Sequence, residues 1–434
     1  MKRLFLVLVI FISFPRSAVA FDLQSRLIEH TLSNGMKWLI VQRRTAPVFS
    51  GAVIVRVGGA DETTGKTGLA HMFEHMAFKG SRLISKPNEV WEVMLRNGAV
   101  GLNAFTNKDM TVYHASLPAN RFALWSFVAS QMISDLTYRD FDIERSVVAE
   151  ERRSSAENDP DGRLIEELLQ TAYVDGVYRW STIGLKEDIV GLTVDDARAF
   201  HRQHYGAANM IGVVVGDVDV STVITNVEKH FGSIPAGSRT RNPLPGTTAG
   251  GIQRRVKINA EPAVIMAFHK PTYPDPRQAV FDVLTTLLCD GQSSRLVRRL
   301  VVEERLARDI SCAEHFPGER LPNLFLVWIE PNHRKSMAAI EQIVTEELER
   351  LKHDPITDDE LRTVVTKATS DLMYLLDDNM DLAVELGRYE AVAGGWRFLA
   401  QYPKRLQRVT AADLKKVSEP FFVDANRVIV ERTR

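Results

Sequence analysis

A stretch near the middle of the chain divides it in two. Residues 235–251 run Pro-Ala-Gly-Ser-Arg-Thr-Arg-Asn-Pro-Leu-Pro-Gly-Thr-Thr-Ala-Gly-Gly, with no apolar periodicity. Proline removes backbone donors and glycine adds chain entropy, so neither a helix nor a strand is favoured there, and the stretch reads as a linker. Its two flanks resemble each other. Residues 192–215 and 409–431 each open on a threonine suited to capping a helix, Thr193 and Thr410, followed by acids. Each continues through a helical stretch and an aromatic residue to an asparagine, Asn209 and Asn426, and closes on a hydrophobic strand. Asp142 to Val148 and Asp359 to Val365 match in the same way. At 434 residues the chain exceeds one compact domain. The pattern predicts an α+β fold of two homologous halves, residues 21–234 and 252–434, joined by the linker 235–251.

Within the first half, alternation and turn residues predict a hairpin over 28–41 about Asn34-Gly35 and a strand over 51–57. Helices are predicted over 67–78, closed by Lys79-Gly80, and over 86–96, with Ser85 at its entry and Pro87 in its first turn. A strand over 109–117, helices over 120–135, 141–157 and 193–204, and a buried strand over 210–215 complete that half.

Residues 1–20 stand apart. Lys2 and Arg3 precede an apolar run from Leu4 to Phe14, and small residues stand at Ala18 and Ala20. This is the layout of a cleaved signal peptide, with cleavage after Ala20. The run is short for a membrane anchor, and no later segment is apolar enough to span a bilayer. The mature chain is expected to be exported, to the periplasm or beyond. Losing Lys2, Arg3 and Arg16 with the leader leaves a net charge of −4, which argues against a nucleic-acid partner. In an oxidising compartment Cys289 and Cys312 are either a disulfide or two buried thiols.

The strongest chemical motif is His71-Met-Phe-Glu74-His75. Residues four apart on a helix share a face, so the two imidazoles can bind one zinc ion. Glu74 stands beside them as a base for a metal-activated water. This is the H-x-x-E-H order of the inverzincins. A third protein ligand is sought in Glu144 to Glu151. Glu144 and Glu151 are seven apart and share a helix face, whereas Glu150 points about 100° away from Glu151. One carboxylate of the 144/151 pair can take the metal while the other orients a histidine.

The chain resembles the pitrilysin/insulinase family of zinc metallopeptidases, on the side of the mitochondrial processing peptidase. The resemblance rests on Gly68 to Gly80, Leu102 to Tyr113, Glu144 to Glu151 and Asn209 to Asp217. It implies that the two halves form half of a clam-shell chamber that admits peptides or unfolded segments. It implies one zinc ion per chain, held by His71, His75 and Glu151, with Glu74 as general base and Glu144 behind the ligands. It also places Asn103, Ala104 and Phe105 on an edge strand that pairs with an extended substrate, since a sheet edge offers free backbone groups.

One part of the family pattern is missing. Self-sufficient members carry an Arg and a Tyr seven residues apart after a Gly-x-x-Ser-Arg-Leu segment. After Gly291 to Leu296 those positions hold Val301 and Arg308. Losing donors to a tetrahedral oxyanion costs about 10²–10³ in rate. Two readings follow. In the first, the chain is the zinc subunit of a heterodimer whose non-zinc paralogous partner supplies the pair, a homodimer being the variant of this reading. In the second, it is a non-catalytic peptide-binding or structural subunit.

Overall fold

The computed structural model describes residues 23–239, 243, 245–354 and 356–433, so the expected leader lies outside the described residues. Eleven strands form two sheets. The strands of the first are β1 (Leu27–Thr31), β2 (Lys37–Gln42), β3 (Val48–Val55), β4 (Val100–Thr106), β5 (Thr111–Pro118) and β6 (Met210–Gly216). Their order is β1-β2-β6-β3-β5-β4. The second sheet holds β7 (Ile252–Lys257), β8 (Ala263–Lys270), β9 (Ala307–Phe316), β10 (Asn323–Pro331) and β11 (Arg427–Thr433), in the order β7-β11-β8-β10-β9. Without β1 the two orders coincide strand for strand. In each sheet one pair is parallel, β2 with β6 and β7 with β11, and the other neighbours run antiparallel.

The repeat extends to side chains. Thr193 and Asp196 cap the helix Val194–His204 reciprocally, and Thr410 and Asp413 do the same for Ala411–Phe421. The amide of Asn209 donates to the carbonyls of His204 and Arg56, and that of Asn426 to the carbonyls of Phe421 and His269. Each asparagine thereby ties the end of a helix to the neighbouring strand, just before the chain enters an interior strand of its sheet, β6 or β11.

Each half also lends a helix to the other. The helix Asn379–Val392 packs across β3 and β6 of the first sheet, and Pro160–Ala172 packs across β11 and β7 of the second. Gly387 permits the first of these contacts: a Cβ there would stand 2.2 Å from Ile54 Cδ1. Leu382, Leu386 and Tyr389 are buried at the contact. A fully buried leucine contributes about 1.5–3 kcal/mol, so the exchange fastens the halves together. It also explains why β6 is apolar throughout rather than alternating: helices cover both of its faces.

Several boundaries differ from expectation. The second helix begins at Glu89, not near Lys86, because Asn88 takes a left-handed conformation (φ 59°) and starts it later. The helix at 141 is α-helical to Arg152 and then widens into a π-helical turn over Arg153–Glu157. The strand expected from Asp109 begins at Thr111, since Asn107 Oδ1 accepts from the backbone N–H of Asp109 and Met110 and makes a turn of them. Cys289, at the end of Gln278–Cys289, and Cys312 on β9 form a disulfide with Cα atoms 5.6 Å apart. Among the described residues no helix is long and apolar enough to cross a membrane.

Candidate metal centre

The helix Leu69–Ala77 carries the histidine pair. Leu69, Ala70, Met72, Phe73, Met76 and Ala77 are buried against the first half, which leaves His71, Glu74 and His75 along one partly exposed stripe. Gly68 opens the helix in the left-handed region (φ 85°), a conformation that favours glycine. The helix lies against β4 and against the helix Phe141–Arg152, so Glu144 and Glu151 face it from the second of these.

The structure brings His71, His75 and Glu151 together: one donor atom from each lies within 4.8 Å of the others. His71 Nε2 stands 3.6 Å from Glu151 Oε1, and His75 Nε2 stands 3.4 Å from Glu151 Oε2. These spacings are long for charge-assisted hydrogen bonds. They suit a shared cation. With zinc bonds of about 2.0–2.2 Å in a tetrahedron, neighbouring donors lie about 3.3–3.6 Å apart. The donor chemistry, two imidazoles and one carboxylate, is that of a catalytic zinc site with a place left for water. Glu150 turns away and pairs with Arg153 at 2.6 and 2.8 Å, whereas Glu151 stands in the cluster with the two histidines.

Behind this cluster, Glu144 is buried and its Oε2 lies 3.3 Å from His75 Nδ1. That contact sets the ring orientation that turns Nε2 toward Glu151. The ammonium of Lys79 pairs with the other Glu144 oxygen. Glu74, on the same stripe, reaches β4, where Thr106 Oγ1 donates to its Oε2 at 2.6 Å. Sequence reasoning missed Lys79 and Thr106, though both carry a signal. Lys79 is four residues beyond His75, and Thr106 alternates with buried Leu102 and Ala104 on the inward face of β4.

The electrostatics follow from this packing. Burial, reinforced by His75, pushes the His71 imidazole down to about 4, so it is neutral and free to act as a ligand. Burial also works to lower His75, but Glu151 and Glu144 outweigh it and raise that imidazole. The neighbouring His75 imidazole, with His71, holds the Glu151 carboxyl below its usual range against partial burial. Burial raises the Glu74 carboxyl, and the Thr106 hydroxyl works against that rise.

Asn103, Ala104 and Phe105 lie on β4, which among the described residues pairs with β5 alone and forms one edge of the sheet. Asn103 and Phe105 are exposed, whereas the Ala104 side chain is buried, so Ala104 offers a ligand its backbone. Val301 packs against the core of the second half, and Arg308 Nε bonds Glu330 Oε2 at 2.9 Å on β10.

Comparison with known proteins places this geometry. The insulinase (peptidase M16) family model matches residues 38–184, and the model described as the peptidase M16 inactive domain matches residues 191–367. Over 421 residues the chain is 31% identical to the zinc protease PqqE of Helicobacter pylori, covering 94% of this chain and 93% of that one. The chain belongs to the insulinase (M16) family. It is 23% identical to the β subunit of the mitochondrial-processing peptidase of Blastocladiella emersonii, over 92% of this chain and 87% of the relative. The crystal structure of a protease from Helicobacter pylori superposes with a TM-score of 0.88 at 28% identity, covering 94% of this chain and all of that one. The periplasmic protease PqqL of Escherichia coli shares the fold (TM-score 0.76, 21% identity), with 94% of this chain matching 47% of PqqL. The paired halves are thus the two-half unit of the M16 clam-shell.

Proposed function

We propose that this chain is a zinc-dependent endopeptidase that hydrolyses peptides or unfolded segments, with one zinc ion held by His71, His75 and Glu151. The observation that carries the reading is the cluster of donor atoms from His71, His75 and Glu151 within 4.8 Å of one another, with Glu74 on the same helix face. Zinc, when bound, supplies Lewis acidity that lowers the pKa of a coordinated water. Glu74 is the general base: it takes the proton of the attacking water and passes it to the leaving amine. Thr106 holds Glu74 through Oε2. Glu144 orients His75. The β4 edge, at Asn103, Ala104 and Phe105, pairs with the extended substrate backbone.

The chain is the zinc-bearing subunit of a pair, and its non-zinc paralogous partner supplies the donors that Val301 and Arg308 do not. What supports this is where those two residues lie: one packed against a core, the other paired with Glu330 on the surface. The relative named as a processing-peptidase β subunit is itself one subunit of an assembly. A leader at residues 1–20 and the Cys289–Cys312 disulfide both fit export to the periplasm. The test uses a fluorogenic peptide with the chain alone and with a coexpressed paralogue that lacks the histidine motif. Glu74→Gln is expected to keep metal and abolish cleavage. Full activity of the lone chain would remove the partner from the account, and unchanged cleavage by Glu74→Gln would remove Glu74 as base.

A further inference from the structure

The metal-free half reaches the histidine helix through a buried chain of charges. Arg320 sits in the turn between β9 and β10 of the second half, and its side chain is almost wholly buried, as are the carboxylates of Asp61 and Asp109 of the first. Its guanidinium grips Asp61 with both forks, at 3.1 and 2.8 Å, and its Nε reaches Asp109 Oδ1 at 3.4 Å. The backbone N–H groups of Glu319 and Arg320 also donate to Asp109, as does the hydroxyl of Tyr178. Asp61 in turn accepts from the backbone N–H of Gly58 at 2.8 Å. The next residue, Glu62, is buried and spends both carboxylate oxygens on the start of the histidine helix. Gly68 N–H donates to Oε2 at 2.9 Å and Ala70 N–H to Oε1 at 2.8 Å. Gly68 has no side chain with which to cap that helix, so Glu62 supplies the cap from a distance. Ala70 immediately precedes His71.

We propose that Arg320 and Glu62 are positioning residues for the metal centre: the second half locks Asp61, and Glu62 thereby fixes the helix start from which His71 projects. This rests on the reading of His71, His75 and Glu151 as zinc ligands. The chain of contacts has a physical purpose. Ligand atoms must sit within a few tenths of an ångström of their ideal places, and the first turn of a helix frays most readily unless its N–H groups are held. Asp109 extends the same grip to the turn that joins β4 and β5, so one guanidinium registers both the histidine helix and the edge strand.

The test is zinc affinity of the full chain, by competition with a chromophoric chelator, and the visible spectrum of its Co²⁺ form. The variants are Glu62→Gln, Arg320→Met and Arg320→Lys. Glu62→Gln keeps one acceptor and turns an amide N–H₂ against a backbone donor. It is expected to weaken zinc about 10- to 100-fold, the range for groups behind the ligands, and to alter the Co²⁺ bands. Arg320→Met is expected to do the same, with partial recovery in Arg320→Lys. Should Arg320→Met fail to fold, Glu62→Gln, which leaves the clasp intact, decides the matter. Folded Glu62→Gln with wild-type zinc affinity and an unchanged Co²⁺ spectrum would overturn the inference while leaving the zinc site standing. No zinc binding by the wild type would overturn both.

Discussion

Replacing Thr106 with valine removes one hydroxyl at almost constant volume. That hydroxyl donates at 2.6 Å to Glu74 Oε2, and Thr106 touches none of the three metal-site donors through a hydrogen bond. A hydrogen bond to a charged group contributes about 1.5–3 kcal/mol. At about 1.36 kcal/mol per factor of ten, its loss shifts the ionisation equilibrium of Glu74 about 10- to 150-fold toward the neutral acid. The sign follows from the role. A general base works ionised, burial already raises Glu74, and Thr106 holds it down. Removing Thr106 therefore moves the acid limb of kcat/KM to higher pH. On that limb activity falls about 10- to 150-fold, and well above it the variant recovers most of its rate. Peptide cleavage measured across pH, with zinc content determined on the same samples, reads this directly. Thr106→Ser keeps the donor and is expected to follow the wild-type profile. A Thr106→Val profile superimposable on the wild type would refute the assignment of this bond to Glu74 function.

Two further outcomes are expected. Glu151→Gln should lose zinc by more than the roughly 10- to 100-fold typical of groups behind the ligands, whereas Glu150→Gln, at a site turned toward Arg153, should retain it; chelator competition separates them. Replacing both Cys289 and Cys312 with alanine opens a loop of 23 residues' separation and should cost about 3 kcal/mol on the chain-entropy estimate, read by denaturant unfolding, with zinc affinity unchanged; equal unfolding midpoints would contradict it.

Most of the architecture was legible because it is written twice. Threonine caps, asparagine ties and closing strands recur at matching places, and each instance forms a small local structure that sequence alone specifies. The exchange of helices between halves was not legible. Gly387 reads as an ordinary weak point in a helix until Ile54 of the other half is found against it. Helix starts slipped for a related reason: at Glu89 the left-handed Asn88, not Ser85 or Pro87, decides where the helix begins.

The site divides the same way. His71, Glu74 and His75 follow from helical spacing, and the helix phase of Glu151 already set it apart from Glu150. Thr106 and Arg320 meet the site from other elements, so spacing along one helix could not collect them, whereas Lys79 stands one turn beyond His75 and its spacing was there to be read. Arg320 is the extreme case, lying 259 residues from Asp61 in sequence and within hydrogen-bond reach of it in the fold.

The central claim is that His71, His75 and Glu151 close around one zinc ion. Metal quantification combined with X-ray absorption at the zinc edge on the purified chain tests it most directly. The account predicts about one zinc per chain, with two imidazole nitrogens and oxygen donors at about 2.0–2.2 Å and no sulfur, and loss of the metal in His71→Ala. Less than about 0.2 zinc per folded chain, or a sulfur-containing shell, would contradict it.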